Sequence, residues 1–235
     1  RPPRSTLFPY TTLFRSVSDA RNYSGGLVGY FAGSGGIATS FASGRVSGSG
    51  NSSYAGGLVG YYAGSGNVSD SAAAGTVSSG YAAGGLIGEM YGYSNSRIQN
   101  SRASGDVTSG SYAAGGLVGL FYDYYTNTGS GIAGSHATGR VHGNSYSGGL
   151  VGYYIGYDPV TGSHATGAVT GGFTNTTIYI GGLVGYFYNY SSAAGGGIVA
   201  SHAGGDVALN NAALSSNRNV YAGGLVGYLA GNSTA

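Results

Sequence analysis

The sequence predicts an all-β fold, a parallel β-helix (solenoid) of about seven coils, and three observations predict it. The string Gly-Gly-Leu-Val/Ile-Gly occurs seven times, starting at Gly25, Gly56, Gly84, Gly115, Gly148, Gly181 and Gly223. A second motif, Ser-x-Ala-x-Gly-x-Val, occurs six times, starting at Ser40, Ser71, Ser101, Ser135, Ser163 and Ser201, and alternates strictly with the first. Composition fits both: 50 of 235 residues are Gly and only 7% are charged, yet 41% are hydrophobic and 23 are Tyr. Disordered chains are poor in aromatic and β-branched residues, so this balance points to short strands separated by tight turns. A fixed period of about 30 residues marks a stacked array whose units bury their faces against one another.

The first sixteen residues stand outside the pattern. Arg1–Ser16 reads RPPRSTLFPYTTLFRS and contains no glycine. It resembles, residue for residue, the conceptual translation of a common short-read sequencing adapter, and is set aside as not native. Pro9, Thr11 and Thr12 interrupt the apolar core that a secretory leader would need. Three of the nine Arg (Arg1, Arg4, Arg15) lie in this stretch and none of the seven acids do, which leaves six against seven and a net charge of −1 rather than +2. The apparent basicity therefore gives no reason to expect nucleic-acid binding. The last Gly-Gly-Leu copy is not followed by its second motif, so residues 17–235 are expected to be a solenoid truncated at both ends, with the rest of a parent chain as its neighbour.

The second motif has the period of two that belongs to a strand. Its fixed Ser, Ala, Gly and Val are small or apolar, whereas charge appears only at the variable positions, as in Arg45, Arg102, Asp106, Arg140 and Asp206. The fixed set is expected to face the interior and the variable set the solvent. An Ile or Val stands three residues before each copy: Ile37, Val68, Ile98, Ile132, Val160 and Ile198.

The first motif reads as another short strand. Its structural residues are Gly26, Leu27 and Gly29; Gly57, Leu58 and Gly60; Gly85, Leu86 and Gly88; Gly116, Leu117 and Gly119; Gly149, Leu150 and Gly152; Gly182, Leu183 and Gly185; and Gly224, Leu225 and Gly227. Leu and Val are adjacent, so one must point outward unless a bend or bulge intervenes; alternation alone does not say which. The period suits a coil of three short strands and three turns, with the extra residues before Gly181 and Gly223 forming loops.

Gly26-Leu27-Val28-Gly29 and its six further copies, with the surrounding Ile-x-x-Ser-x-Ala-x-Gly-x-Val, resemble the GLUG-motif repeats, named for Gly-Leu-any-Gly. The resemblance covers about Val17 to Ala235. It implies a right-handed helix of the pectate-lyase-like type. It also implies a place in large bacterial cell-surface or secreted proteins, including haemagglutinin-like adhesins and relatives of immunoglobulin A peptidases. No catalytic residue or cofactor belongs to the repeat, so none is carried over.

Two side-chain patterns are candidate sites. Tyrosines cluster after each Gly-Gly-Leu string, most densely at Tyr122, Tyr124, Tyr125, Tyr153, Tyr154, Tyr186, Tyr188 and Tyr190. Ring stacking alone explains such clusters, and so does an aromatic strip that binds a glycan or host surface. His136, His164 and His202 occupy one repeat position, where imidazoles could share a metal; the plainer reading is a solvated column copied with the repeat.

Enzyme readings have little support. The acids are scattered singly along the sequence, Lys is absent, and there is no HExxH or GxSxG motif. There is no Cys, and no apolar run long enough to span a bilayer. The expected function is a structural and adhesive repeat region, extracellular or at the bacterial surface, and not an enzyme. The alternatives are a polysaccharide lyase or hydrolase on the same scaffold, and a spacer that binds nothing.

Overall fold

The computed structural model describes residues 11–13, 15–92, 96–124, 131–172, 177–191, 196–210 and 219–232. Each coil is made of five short strands rather than three. In one coil these are a lead strand (Tyr54–Gly56), a GGL strand (Val59–Gly64), a link strand (Val68–Ser69), an alanine strand (Ala72–Ala73) and a valine strand (Val77–Ser79). Strands of the same kind pair in parallel, one coil apart, into five sheets. Four sheets are seven strands deep and the link sheet is six. There is no helix among the described residues, and so none long and apolar enough to cross a membrane.

The extra strands arise because the second motif is not one straight strand. The residue before each motif Ser takes a left-handed conformation: Thr39 (φ 50°), Asp70 (φ 49°), Asn100 (φ 49°), Gly134 (φ 57°), Gly162 (φ 55°) and Ala200 (φ 49°). That residue turns the chain between the link and alanine strands. A second bend at the motif Gly separates the alanine and valine strands. There the neighbouring coil comes so close that a Cβ on Gly75 would lie 1.9 Å from the Gly44 carbonyl oxygen. The motif Gly is thus demanded by backbone approach between coils, not by the narrowness of the core.

The motif Ser ties coils together. The Ser101 hydroxyl donates to the Gln99 carbonyl (2.9 Å) and accepts from the Ser71 amide of the preceding coil (3.2 Å). The same pair of bonds links Ser71 to Ser40, Ser135 to Ser101 and Ser163 to Ser135. A small side chain with both a donor and an acceptor is needed at this buried corner, which is why Ser recurs there.

Apolar columns fill the interior. Val28, Val59, Ile87, Val118, Val151, Val184 and Val226 form one column in register. Leu and Val of the first motif both point inward: Leu58 and Val59, Leu86 and Ile87, and Leu117 and Val118 are all fully buried in one core cluster. A corner makes this possible. Leu58 lies on the bend between the lead and GGL strands, and the amides of Leu27 and Val28 both donate to its carbonyl (2.9 and 3.1 Å).

As expected, the fixed residues of the second motif face in, and Arg45, Arg102, Asp106, Arg140 and Asp206 face solvent. Thr11–Leu13 pairs with Ser40–Ala42. The stretch set aside as non-native thus adds one strand at the edge of the alanine sheet, where the unpaired N–H and C=O groups of an edge strand are a template for pairing. The insertions before Gly181 and Gly223 fall at 173–176 and 211–218, outside the described residues.

Candidate functional site

One outer face of the solenoid is paved with tyrosine. The pavement follows from strand alternation. In the GGL strand Val59 and Tyr62 point in and Tyr61 points out. Stacking coils then builds an outer column of Tyr30, Tyr61, Glu89, Leu120, Tyr153, Tyr186 and Tyr228. The lead sheet supplies a second column beside it: Tyr23, Tyr54, Ala82, Ala113, Tyr146, Tyr179 and Tyr221. Where that column carries alanine, Tyr81 and Tyr112 cover the gap from one residue earlier, stacked at 4.7 Å.

The rings pack as a herringbone. Within a column they are parallel: Tyr30 and Tyr61 are 5.2 Å apart at 4°, and Tyr146 and Tyr179 are 5.1 Å apart at 2°. Across columns they meet edge-on: Tyr146 and Tyr153 are 4.8 Å apart at 72°, and Tyr179 and Tyr186 are 5.3 Å apart at 83°. Both geometries are favoured by the ring quadrupole. Burial holds the phenols of Tyr112, Tyr122 and Tyr153 above their ordinary value, and that of Tyr54 at about 12. These hydroxyls stay protonated at neutral pH.

Glu89 breaks the pattern. It stands where the neighbouring coil has Tyr61, yet it is only 8% exposed. It is hydrogen-bonded to Tyr54, and burial pushes its carboxyl up to about 7.

The GLUG-motif family matches residues 51–78 and 79–108, each match spanning one coil. The chain carries GLUG repeats. Comparisons with curated proteins and with solved structures return no match. In a GLUG coil of this chain, the Gly-Leu-x-Gly corner sets the lead and GGL strands side by side, and their outer faces carry the two tyrosine columns.

The tyrosines singled out from sequence divide on this frame. Tyr153 and Tyr186 lie in the outer column, and Tyr124 and Tyr190 are exposed beside it. Tyr122 and Tyr188 are partly buried one step further along the GGL strand. Tyr125 lies outside the described residues. Tyr154 is a correction. It is completely buried, stacked between Phe121 (4.7 Å) and Phe187 (4.6 Å), with its hydroxyl donating to the Asp158 carbonyl. It sits an odd number of residues from Tyr153, so alternation turns it into the core and away from any ligand. Sequence reasoning missed the lead column altogether. Its signal was available: Tyr23, Tyr54, Tyr146, Tyr179 and Tyr221 each stand two residues before the first Gly of a Gly-Gly-Leu string.

The three histidines do form a ladder on the alanine strands of adjacent GLUG coils. His136 and His164 stack at 4.9 Å and 3°, and His164 and His202 at 5.0 Å and 3°. A metal held at about 2.1 Å by two imidazoles needs nitrogens within about 4.2 Å and converging lone pairs. Parallel rings at this spacing direct their lone pairs along parallel lines, so the ladder as built does not chelate. Burial, His164 and Arg102 hold His136 below its ordinary value.

The acids are less scattered than the sequence suggests. Asp123 ends one GGL strand pointing inward, and both it and Asp158 act on the buried Tyr154 hydroxyl. Asn189, fully buried one coil further on, approaches the Asp158 carbonyl at 3.4 Å. These groups make a polar corner inside the coil, whereas Asp106 and Asp206 face solvent.

Proposed function

We propose that this GLUG solenoid is a structural and adhesive region of a bacterial cell-surface or secreted protein, binding glycan or host surface through its tyrosine face. The observation that carries the reading is the double tyrosine column. It runs along the stacked coils, interrupted by Glu89 and Leu120 in one column and by Ala82 and Ala113 in the other, and is partly exposed on the sheets beneath. A soluble protein rarely shows so large an aromatic patch without a partner. Edges and hydroxyls of packed rings, repeated once per coil, suit many weak contacts that add by avidity. The structural half of the reading rests on the GLUG repeats and on the parallel stack itself.

The test is a glycan array and a host-cell binding assay on the whole chain, with Tyr153→Ser and Tyr186→Ser combined. Binding that falls at least tenfold in the variant, at unchanged thermal stability, supports the reading. Equal binding by both chains, or binding by neither, refutes it. Turnover of a bound polysaccharide would favour the enzyme alternative.

A further inference from the structure

Glu89 is the chain's single glutamate and interrupts an otherwise aromatic and aliphatic column. Its neighbours in register are Tyr61 on one coil and Leu120 on the next. Among the described residues, the titratable groups facing it are phenols: Tyr54 from the lead sheet, Tyr61 and Tyr122 from the GGL sheet, Tyr124 just past the end of a GGL strand, and Tyr81 from the turn before the lead strand. Tyr81 and Tyr122 pack with Ala82, Ala113 and Leu120 into a small apolar cluster outside the main core. Among the described residues, a carboxylate here has a phenol donor in Tyr54, and no cation contributes to its titration. Its neutral form is a good fit, and its charged form needs water.

We propose that Glu89 is a proton-operated latch on the outer aromatic layer: protonated, it lets Tyr54, Tyr81 and Tyr122 close over it, and ionised, it opens that layer to water. Ionisation acts on the layer and not on the stack, because Met90, the next residue, points the other way into the core. The closed carboxyl titrates at about 7 against an ordinary 4.5. By linkage, the opening equilibrium then rises up to roughly 300-fold from acid to alkaline pH. A local aromatic layer, unlike the core, can open within such a range.

The whole chain labelled with carboxyl-13C glutamate gives one side-chain carboxyl signal, read by NMR against pH. The latch requires that signal to titrate near 7, with the near-ultraviolet dichroism of the tyrosines changing at the same midpoint. The dichroism step must vanish in Glu89→Gln and in Glu89→Tyr. A carboxyl midpoint near 4.5 overturns the proposal. So does a dichroism that is flat from about pH 5.5 to 8.5 in the unaltered chain, or a step that survives in both variants.

Discussion

Placing a methyl group on Gly116 separates the demands of stacking from those of local backbone. A Cβ there would lie 2.0 Å from the Gly149 carbonyl oxygen and 2.8 Å from the Ala137 Cβ, whereas ordinary contact begins at 3.4 Å. The shortfall against the backbone oxygen is about 1.4 Å (3.4 − 2.0), and no rotamer relieves it. The next coil must move away. Three bonds to that coil then stretch past hydrogen-bonding distance: Gly116 to Gly148 (3.2 Å), Leu117 to Leu150 (2.8 Å) and Val118 to Leu150 (3.0 Å). Each buried amide left unpaired costs about 1–3 kcal/mol, so losing three makes Gly116→Ala cost on the order of 3–9 kcal/mol, a large part of a typical domain's stability. Gly224 holds the same motif position but has nothing within 4 Å of its would-be Cβ. Gly224→Ala is therefore expected to change stability by about 0.5 kcal/mol or less. Urea unfolding followed by circular dichroism measures both. Equal loss in the two variants would mean that the local backbone, not the neighbouring coil, demands glycine, and the stacking argument would fail.

Three further outcomes follow from other parts of the coil. Ser101→Ala removes the acceptor of the Ser71 amide and should cost about 1–3 kcal/mol in the same unfolding assay; a cost near zero would show that the serine ladder holds nothing. Ala200→Gly relieves a left-handed residue at a corner where Gly134 and Gly162 already serve, and should stabilise by about 0.5–1 kcal/mol; destabilisation would contradict the assigned turn. The depressed His136 binds its proton less readily in the folded than in the unfolded chain. Its contribution to stability is therefore lost as pH falls below its ordinary 6.5, and levels off once the folded group is protonated. The acid-induced drop in urea midpoint should be smaller in His136→Gln, and an unchanged drop would clear His136 of that role.

The class of fold was legible because a period of two and a period of about 30 coexist in one chain, and only stacked strands satisfy both. The inward set of the second motif could be read from where charge is absent. The number of strands per coil could not, because the corners rest on left-handed residues as unlike as Thr39, Asp70 and Ala200, which share a conformation but no chemistry. The choice between Leu and Val was undecidable from alternation, since a corner breaks alternation between them. The tyrosine face was half legible. Tyr153 and Tyr186 were found by their place after Gly-Gly-Leu, while Tyr154 was misplaced by treating a cluster as a surface and ignoring its alternation. Glu89 could not be ranked above other single acids until the column on either side of it was known.

The claim beneath all of this is that residues one repeat apart lie side by side. Disulfide formation tests it directly in a chain with no native cysteine. Ser47 pairs with Ser78, and Ser78 with Thr108, at outward positions of the valine sheet. Parallel neighbours at about 4.8 Å come within the distance range that a disulfide bridges. Ser47→Cys with Ser78→Cys, and Ser78→Cys with Thr108→Cys, should each oxidise readily within one chain. Ser47→Cys with Thr108→Cys, two coils apart, should stay reduced. Oxidation of all three pairs at one rate, or of the distant pair alone, would contradict the stacked register.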